Sequence, residues 1–534
     1  MGIKSSKNVE ESIKVYQVFG EEEEQYTVET PKKVSYKYLY YMLGVVIIVL
    51  AVLLIWNYLP INSTPPSTDK EKSIAVMPFD NESADEENEY FVNGMMEDIR
   101  NNLSKISDLR VISKTSTEKY RTTTLSSQEI GKELSINYLL EGTVQKRGNQ
   151  VKIHAQLITT ENDDHIWEDT YQRDITDIKD YFIIQSEIAQ AIADALKAVI
   201  TPEERELISS IPTENTEAYD LYLQAMFQPT GTKEDISNAV ELLEKVVQID
   251  PEFANAYAIL GFLKSQFWWF GDSKLSSPED AFNIGNSYFE KALELDPNNI
   301  DALHHSASSL ILYRWDFNEA EKKLQILNKL DHGLLAPDIL IALGRHKEVV
   351  KQAETSFETD PFSSVTWRAK ILSYYFNGQK YEALQAIEIA LKGNFRDVHL
   401  VMDITRVYLY LEMYNKALAS TKQFFQDYKD FREAPRPLCY LAIANFHIGN
   451  FKETSEILKR LKTRSKESSV GSPSFYITMI YSQMKEIDLA FEWLEIAYED
   501  HEVEMYWLKV EPLFDPLHKD ARWQEMLDKV GFPE

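Results

Sequence analysis

The sequence predicts an α+β domain, a mixed sheet with helices, followed by an all-α superhelical solenoid, both carried behind one transmembrane helix. Three observations lead there. Tyr38 to Trp56 is an uncharged, proline-free run of 19 residues, close to the length that crosses a hydrocarbon core roughly 30 Å thick. From Ser73 to Ile200, strand-like alternation and helical periodicity take turns, as in a mixed domain. From Thr201 onward the chain is helical almost throughout, and its small residues recur at a fixed period.

The anchor is bordered by Tyr36, Tyr38, Tyr40 and Tyr41 on one side and Trp56 and Tyr58 on the other, matching the aromatic belts of two interfaces. Lys32, Lys33 and Lys37 precede it, whereas Asn57 to Thr68 holds no Lys or Arg. Positive charge stays inside, so the head is expected in the cytosol and the tail in the periplasm, with the chain a single-pass protein of the inner membrane. The apolar core begins too late for a cleaved signal peptide, which makes it an uncleaved signal anchor. The expected divisions are a head at 1–37, a membrane helix at 38–59, a linker at 60–72, the α+β domain at 73–200 and the helical array at 201–534. Glu21 to Glu24 is a solvated acidic run in the head.

Composition restricts the partners. The 534 residues include 85 acidic and 56 basic ones, for a formal net charge of −29. Such a field repels phosphate backbones and disfavours nucleic acid. The lone cysteine, Cys439, excludes a disulfide framework, and cysteine avoidance suits an oxidising compartment.

After the Pro- and Ser-rich linker ending at Lys72, SIAVMPF (Ser73 to Phe79) reads as a buried strand. Tyr90 to Ile106 has helical spacing through Phe91, Met95, Ile99 and Leu103, and Leu109 to Ser116 reads as a second strand. Ser126 and Glu129 form a capping box for a short helix. Asn137 to Arg147, Gln150 to Thr160 and His165 to Arg173 are three antiparallel strands, with turns at Gly148-Asn149 and Glu161 to Asp164. A helix from about Ile178 to Ile200 closes the unit. His154 and His165 read as sheet residues and Trp167 as a core anchor.

The blocks IAVMPFDN, EYFVNGMMEDIRNNLSKI, LRVISKTS, IGKELSINYLLEGTVQKRGNQVKIHAQLI and HIWEDTYQRDITDI, in that order and spacing, resemble the TolB-like (FlgO-like) domain of bacterial envelope proteins. The resemblance spans Ser73 to Val199. It implies a signalling or scaffold role and no catalytic residues.

Thr201-Pro202-Glu203-Glu204 opens the helical array with a cap, a proline at the first helical position and an acidic third one. YEALQAIEIAL places Ala383 and Ala390 seven apart, and Ala417 follows Ala383 by 34 residues, the period of tetratricopeptide (TPR) repeats. Trp367 lies sixteen residues before Ala383, with Tyr374 between them and the helix-breaking Asp360-Pro361 upstream. Asp250-Pro251 and Asp296-Pro297 end similar units, and FKETSEIL (451–458) and DLAFEWLEIAY (488–498) belong to later ones. Seven to eight helix pairs are expected between Thr216 and Glu534. Small residues at the crossings let paired helices approach, while aromatics fill the wedges between pairs. Lys264 to Ser287, with Trp268, Trp269 and Phe270, exceeds the period by about a dozen residues. It is either a longer hairpin or an aromatic patch on the concave face.

The first residues, GIKSSKNVEESIKVYQVFGE, resemble the carboxyl end of a class III adenylate/guanylate cyclase catalytic domain through Lys7, Asn8, Val9, Ile13, Lys14, Val15, Tyr16, Gln17 and Val18. The resemblance implies that the metal-binding aspartates and purine-selecting residues are missing here, and that the chain is a truncated relative or starts inside a longer gene. A β-prone cytosolic tail is the plain alternative. No GxxxxGK(S/T), HExxH or GxSxG occurs, and His304-His305 point about 100° apart on a helix, so they do not chelate as a pair.

No catalytic, cofactor-binding or metal-binding residue is expected. The leading expectation is a membrane-anchored TPR scaffold or sensor holding a protein or peptide in its groove, with Trp268, Trp269, Arg368, Tyr375, Arg406 and Asn445 as groove candidates. The alternative is the sensory and regulatory portion of a nucleotide cyclase. A homodimer is compatible with the cyclase resemblance, because class III sites form between two catalytic domains.

Overall fold

The computed structural model describes residues 71–83, 88–228, 232–267, 277–330, 337–393, 395 and 397–533. The expected head, the membrane helix at 38–59, Trp268 and Trp269 lie outside them. Among the described residues no helix is long and apolar enough to cross a membrane.

The sheet comes first. β1 (Ser73–Val76) is followed by β2 (Asp80–Asn81), helix α1 (Glu89–Ser104), β3 (Arg110–Val111) and helices α2 (Lys114–Glu118) and α3 (Ser127–Leu134). Strands β4 (Tyr138–Arg147), β5 (Gln150–Thr159) and β6 (His165–Asp174) then precede α4 (Ile178–Ala195) and the short α5 (Pro202–Ile208). The strand order is β3-β1-β4-β5-β6, with β2 also on β4. β1 runs parallel to both neighbours and is buried along its whole length, which explains its unbroken apolar run. β4, β5 and β6 are antiparallel, and Gly148 at φ +59° supplies the turn between β4 and β5.

One face of this sheet carries Val151, Ile153, Ala155 and Leu157 into a core with α1 and α4, while Lys152, His154 and Gln156 point to the other face. α1 buries Phe91, Met95, Ile99 and Leu103, as its spacing predicts. The capping box at Ser126 and Glu129 is present, as is the one at Thr201 and Glu204. The expected strand at Leu109 to Ser116 is a correction. Only Arg110 and Val111 pair, because the Ser113 side chain accepts the Ser116 N–H and starts α2.

Eight helical hairpins follow among the described residues. They are α6 (Thr216–Phe227) with α7 (Lys233–Ile249), α8 (Ala254–Gln266) with α9 (Pro278–Leu295), and α10 (Ile300–Ser309) with α11 (Phe317–Lys329). α12 (Pro337–Ala342) pairs with α13 (His346–Thr359), α14 (Ser364–Phe376) with α15 (Lys380–Lys392), and α16 (Val398–Tyr410) with α17 (Tyr414–Asp427). The last are α18 (Pro435–His447) with α19 (Phe451–Glu467) and α20 (Pro473–Met484) with α21 (Ile487–Glu499). Two 3-10 segments, Val503–Val510 and Pro512–Leu517, and a final helix α22 (Ala521–Val530) complete the chain. Ala383, Ala390 and Ala417 are buried at helix crossings, so the observed spacing does position small residues where helices meet. Each hairpin packs mainly on its sequence neighbours, the pattern of a repeat array.

The first hairpins are not a separate body resting on the sheet. One apolar core runs from Ile74 through Tyr181 and Tyr219 to Leu263. Within it, Asp98 of α1 accepts hydrogen bonds from Gln185 (2.8 Å) and Tyr181 (3.2 Å) of α4 and from Tyr219 of α6. Burial pushes the Asp98 carboxyl up to about 6, against the pull of these donors. Its proton is therefore held more tightly folded than unfolded, so its contribution to stability falls as pH rises from about 4 to 6. Asp98→Asn keeps an acceptor oxygen and removes the titration. Urea unfolding across that window is expected to give a flatter stability profile for the variant than for the parent.

α8 and α9 cross through Gly261 and Gly285. A Cβ on Gly261 would lie 2.9 Å from the Gly285 carbonyl oxygen, from the Phe289 ring and from the Tyr288 Cβ, and neither the backbone oxygen nor the Cβ can move aside alone. Gly261→Ala is expected to cost about 1–3 kcal/mol by overpacking, read as a lower urea midpoint with unchanged slope.

Candidate functional site

The first helices of successive hairpins line the inner face of the array. Arg368 of α14 donates through Nε to Asp403 of α16 at 2.7 Å and through Nη2 to Asp338 of α12 at 3.3 Å. Arg436 of α18 binds the other Asp403 oxygen. Burial raises the Asp403 carboxyl, but the Arg368 and Arg436 charges outweigh it and hold the group well below the usual carboxylate range. One carboxylate thus ties three consecutive inner helices together.

The neighbouring part of the groove is filled by the chain itself. Residues 503–517 cross the inner face and pack on α12 and α20. Glu511, 1% exposed, accepts from both Arg406 (5% exposed) and the Tyr410 hydroxyl, the latter at 2.8 Å. The Arg406 guanidinium also lies 4.1 Å from the centre of the Trp507 ring, which packs against Phe376 and Tyr506, each at 5.7 Å. Glu502 accepts the backbone N–H groups of Ser474 (3.0 Å) and Phe475 (2.7 Å), satisfying the open N-terminus of α20 from 27 residues away. Leu513 offers its carbonyl to Ser482 and Gln483 of the same helix.

This arrangement corrects two of the groove candidates. Arg406 is on an inner helix as expected, but its charge is desolvated and taken by Glu511. Asn445 is 2% exposed and binds Leu441 and Asn450 of its own hairpin, so it braces the turn after α18. Tyr375 is half-buried, 4.9 Å from the Tyr410 ring, and burial followed by the Glu511 and Asp515 charges pushes its hydroxyl up to about 12. Arg368, also half-buried, lines an open cleft.

This cleft, of about 930 Å³, lies between the α+β domain and the solenoid. Arg100, Ser107 and Arg110 stand on one wall, and Gln352, Val365 and Arg368 on the other. Beside it is a second cleft of about 1110 Å³ with Lys119, Glu133, Phe362, Trp367 and Ile389. The two flank a contact that returns the array to the sheet domain. Asp360 accepts from the Ser113 and Ser116 hydroxyls, the second at 2.6 Å, and Ser116 Oγ accepts the Phe362 N–H at 3.0 Å. Arg110 reaches the Glu358 carbonyl at 2.8 Å, and Lys119 Nζ sits 3.3 Å from the Phe362 ring centre. The sequence marks Asp360-Pro361 as a helix break. Its second role needs a partner 247 residues earlier, for which no local signal exists.

His304 and His305 are half-buried, and the desolvation holds both below the usual imidazole range, with His305 stacked on Phe262 at 4.2 Å. Among the described residues no cluster of three or more His, Cys, Asp or Glu is arranged to hold a metal ion.

Residues 70–191 match the family described as the second domain of the HilA/YgeH-like transcriptional regulators, over nearly the same span as the expected TolB-like domain. Over 202 residues the chain is 37% identical to a protein of Rhizobium meliloti (strain 1021) named putative adenylate cyclase 3, covering 37% of this chain and 34% of the relative. The chain therefore matches about a third of that curated relative's length. Among solved structures, the lipoprotein GNA1162 of Neisseria meningitidis is 19% identical, covers 23% of this chain and 97% of its own, and gives a TM-score of 0.20. The Cut9–Hcn1 hetero-tetramer of the APC/C is 14% identical over 66% of this chain and 73% of that one, with a TM-score of 0.34. A monomeric mutant of IFIT1 with Gppp-AAAA is 15% identical over 66% of this chain and 79% of its own, with a TM-score of 0.32.

Two outcomes follow from the contacts. Glu511→Ala leaves the Arg406 charge buried and unpaired and is expected to cost about 3–5 kcal/mol, whereas Arg406→Met with Glu511→Leu recovers most of it in urea unfolding. Asp360→Ala removes the acceptor shared by Ser113 and Ser116. Hydrogen exchange is expected to speed up at 114–118 and 362–363 and to stay unchanged in β4 and β5.

Proposed function

We propose that the chain is a membrane-anchored scaffold or sensor of the cell envelope, which holds a protein segment in the cleft between the α+β domain and the helical array. The observation that carries this reading is the division of the inner face. Its carboxyl-terminal part is closed by residues 503–517, while the stretch around Val365 and Arg368 faces open space. Helix-lined concave surfaces suit extended or helical segments, with side chains of the first helices setting specificity. The anchor would be the apolar segment at 38–59, with the array on the periplasmic side.

The second reading is the regulatory portion of a nucleotide cyclase. It is favoured by the 37% identity to the relative named putative adenylate cyclase 3, together with the cyclase-like head. In that reading, occupation of the cleft alters how two anchors pair and so how two cytosolic catalytic domains meet.

Both readings are tested in the producing cell. A photo-crosslinking residue replaces Val365, which is 57% exposed in the cleft, or Phe451, which is exposed on an outer helix. Cyclic nucleotide is measured in parallel with the chain present or deleted. One identified protein captured from position 365 and none from 451, with cyclic nucleotide unchanged, is the scaffold outcome. A changed cyclic nucleotide level transfers the function to the second reading, and neither effect overturns both.

A further inference from the structure

The outer strand of the sheet, β6, carries a self-complementary pattern that the cleft does not use. It ends the strand order, and Glu168, Thr170 and Gln172 are exposed. The two-residue turn at 148–149 makes Arg147 and Gln150 a hydrogen-bonded pair, so along β5 the even-numbered residues bond to β4 and the odd-numbered ones to β6. The bond from Ile175 N–H to the Asn149 carbonyl continues the same alternation. On β6, therefore, Trp167, Asp169, Tyr171 and Arg173 bond inward, while the N–H and C=O groups of Glu168, Thr170 and Gln172 point outward. Among the described residues the outward Thr170 N–H meets only the Asp169 side chain, at 2.7 Å. A long open edge of this kind is a template for another strand.

We propose that β6 pairs antiparallel with β6 of a second copy of this chain, about a two-fold axis at Thr170. The outward set fixes which registers bond, charge disfavours the two adjacent to the Thr170-centred one, and only the latter brings Trp167 opposite Arg173. Centred on Thr170, Trp167 faces Arg173 of the second copy, Glu168 faces Gln172 and Asp169 faces Tyr171. No like charges are opposed, and Trp167 offers its ring to a guanidinium. Shifting the centre to Asp169 sets two carboxylates opposite each other, and shifting it to Tyr171 opposes Glu168 and Asp174. A shift by half this step turns inward-bonding groups outward and loses the ladder. The Thr170-centred register makes about six inter-strand hydrogen bonds, two for each bonded pair. Apolar surface lies beside the seam. Ile183 of α4 is 47% exposed, one turn before Glu187, which reaches Arg173 of β6 at 3.1 Å. Such pairing would join two sheets into one.

The register is read by cysteine cross-linking of the full chain in detergent, since the native Cys439 is buried. Thr170→Cys is expected to give a dimer band under copper–phenanthroline oxidation. A mixture of Glu168→Cys and Gln172→Cys chains is expected to do the same. Gln172→Cys alone is not, because its two copies would stand about 13 Å apart along the strands. Thr170→Pro removes an outward donor while leaving the β5 ladder intact, and light scattering should then report a monomer with an unchanged far-UV spectrum. A monomeric parent chain, equal cross-linking of Gln172→Cys alone, or a Thr170→Pro dimer would each overturn the proposal.

Discussion

The Arg406–Glu511 pair is the constraint on which the inner face of the array depends. Two charges taken out of water are tolerated only when each finds the other and the remaining polar atoms are satisfied. Here the Tyr410 hydroxyl and the Trp507 ring complete the set. Because Glu511 arrives on the segment after the last hairpin, that segment must lie in the groove for Arg406 to be buried at all. The Phe514 and Leu517 side chains follow it into the core. Residues 503–517 are therefore part of the solenoid's own core.

A second consequence concerns where binding surface remains. The Arg368–Asp403–Arg436 ladder and the Asp360 contact to Ser113 and Ser116 hold the middle hairpins and bring them back against the sheet domain. The open surface is thus assembled from two parts of the chain more than 200 residues apart, with Arg100 and Arg110 on one side and Arg368 on the other. A ligand there would contact both modules at once. The shared core from Ile74 to Leu263 joins the sheet domain to the first hairpins as well, so the sheet domain contacts the array at both its start and its middle.

Much of the architecture is legible in the sequence because its causes are local. Capping boxes at Ser126 and Thr201 act over three residues, the turn at Gly148 needs one positive dihedral, and alanine spacing needs only the pitch of a helix. The pairing of the second strand stops short of the expected Ser116 because Ser113 caps a helix partway along that segment. The candidate site was less legible. Arg406 and Asn445 look like groove residues when only their own helices are considered, since a polar residue on an inner helix gives no sign of whether another segment covers it.

The sequence by itself determined the element types, the order of sheet domain and helical repeat array, and the small residues at the crossings, because each follows from periodicity and caps within one or two turns. The tertiary structure decided which inner-face residues are buried, that residues 503–517 fill part of the groove, and that Asp360 meets Ser113 and Ser116. The physical reason is separation along the chain. The Arg406–Glu511 pair spans 105 residues and the Ser113–Asp360 contact 247. Whether such charges end in water or against each other is fixed only when the intervening hairpins have stacked.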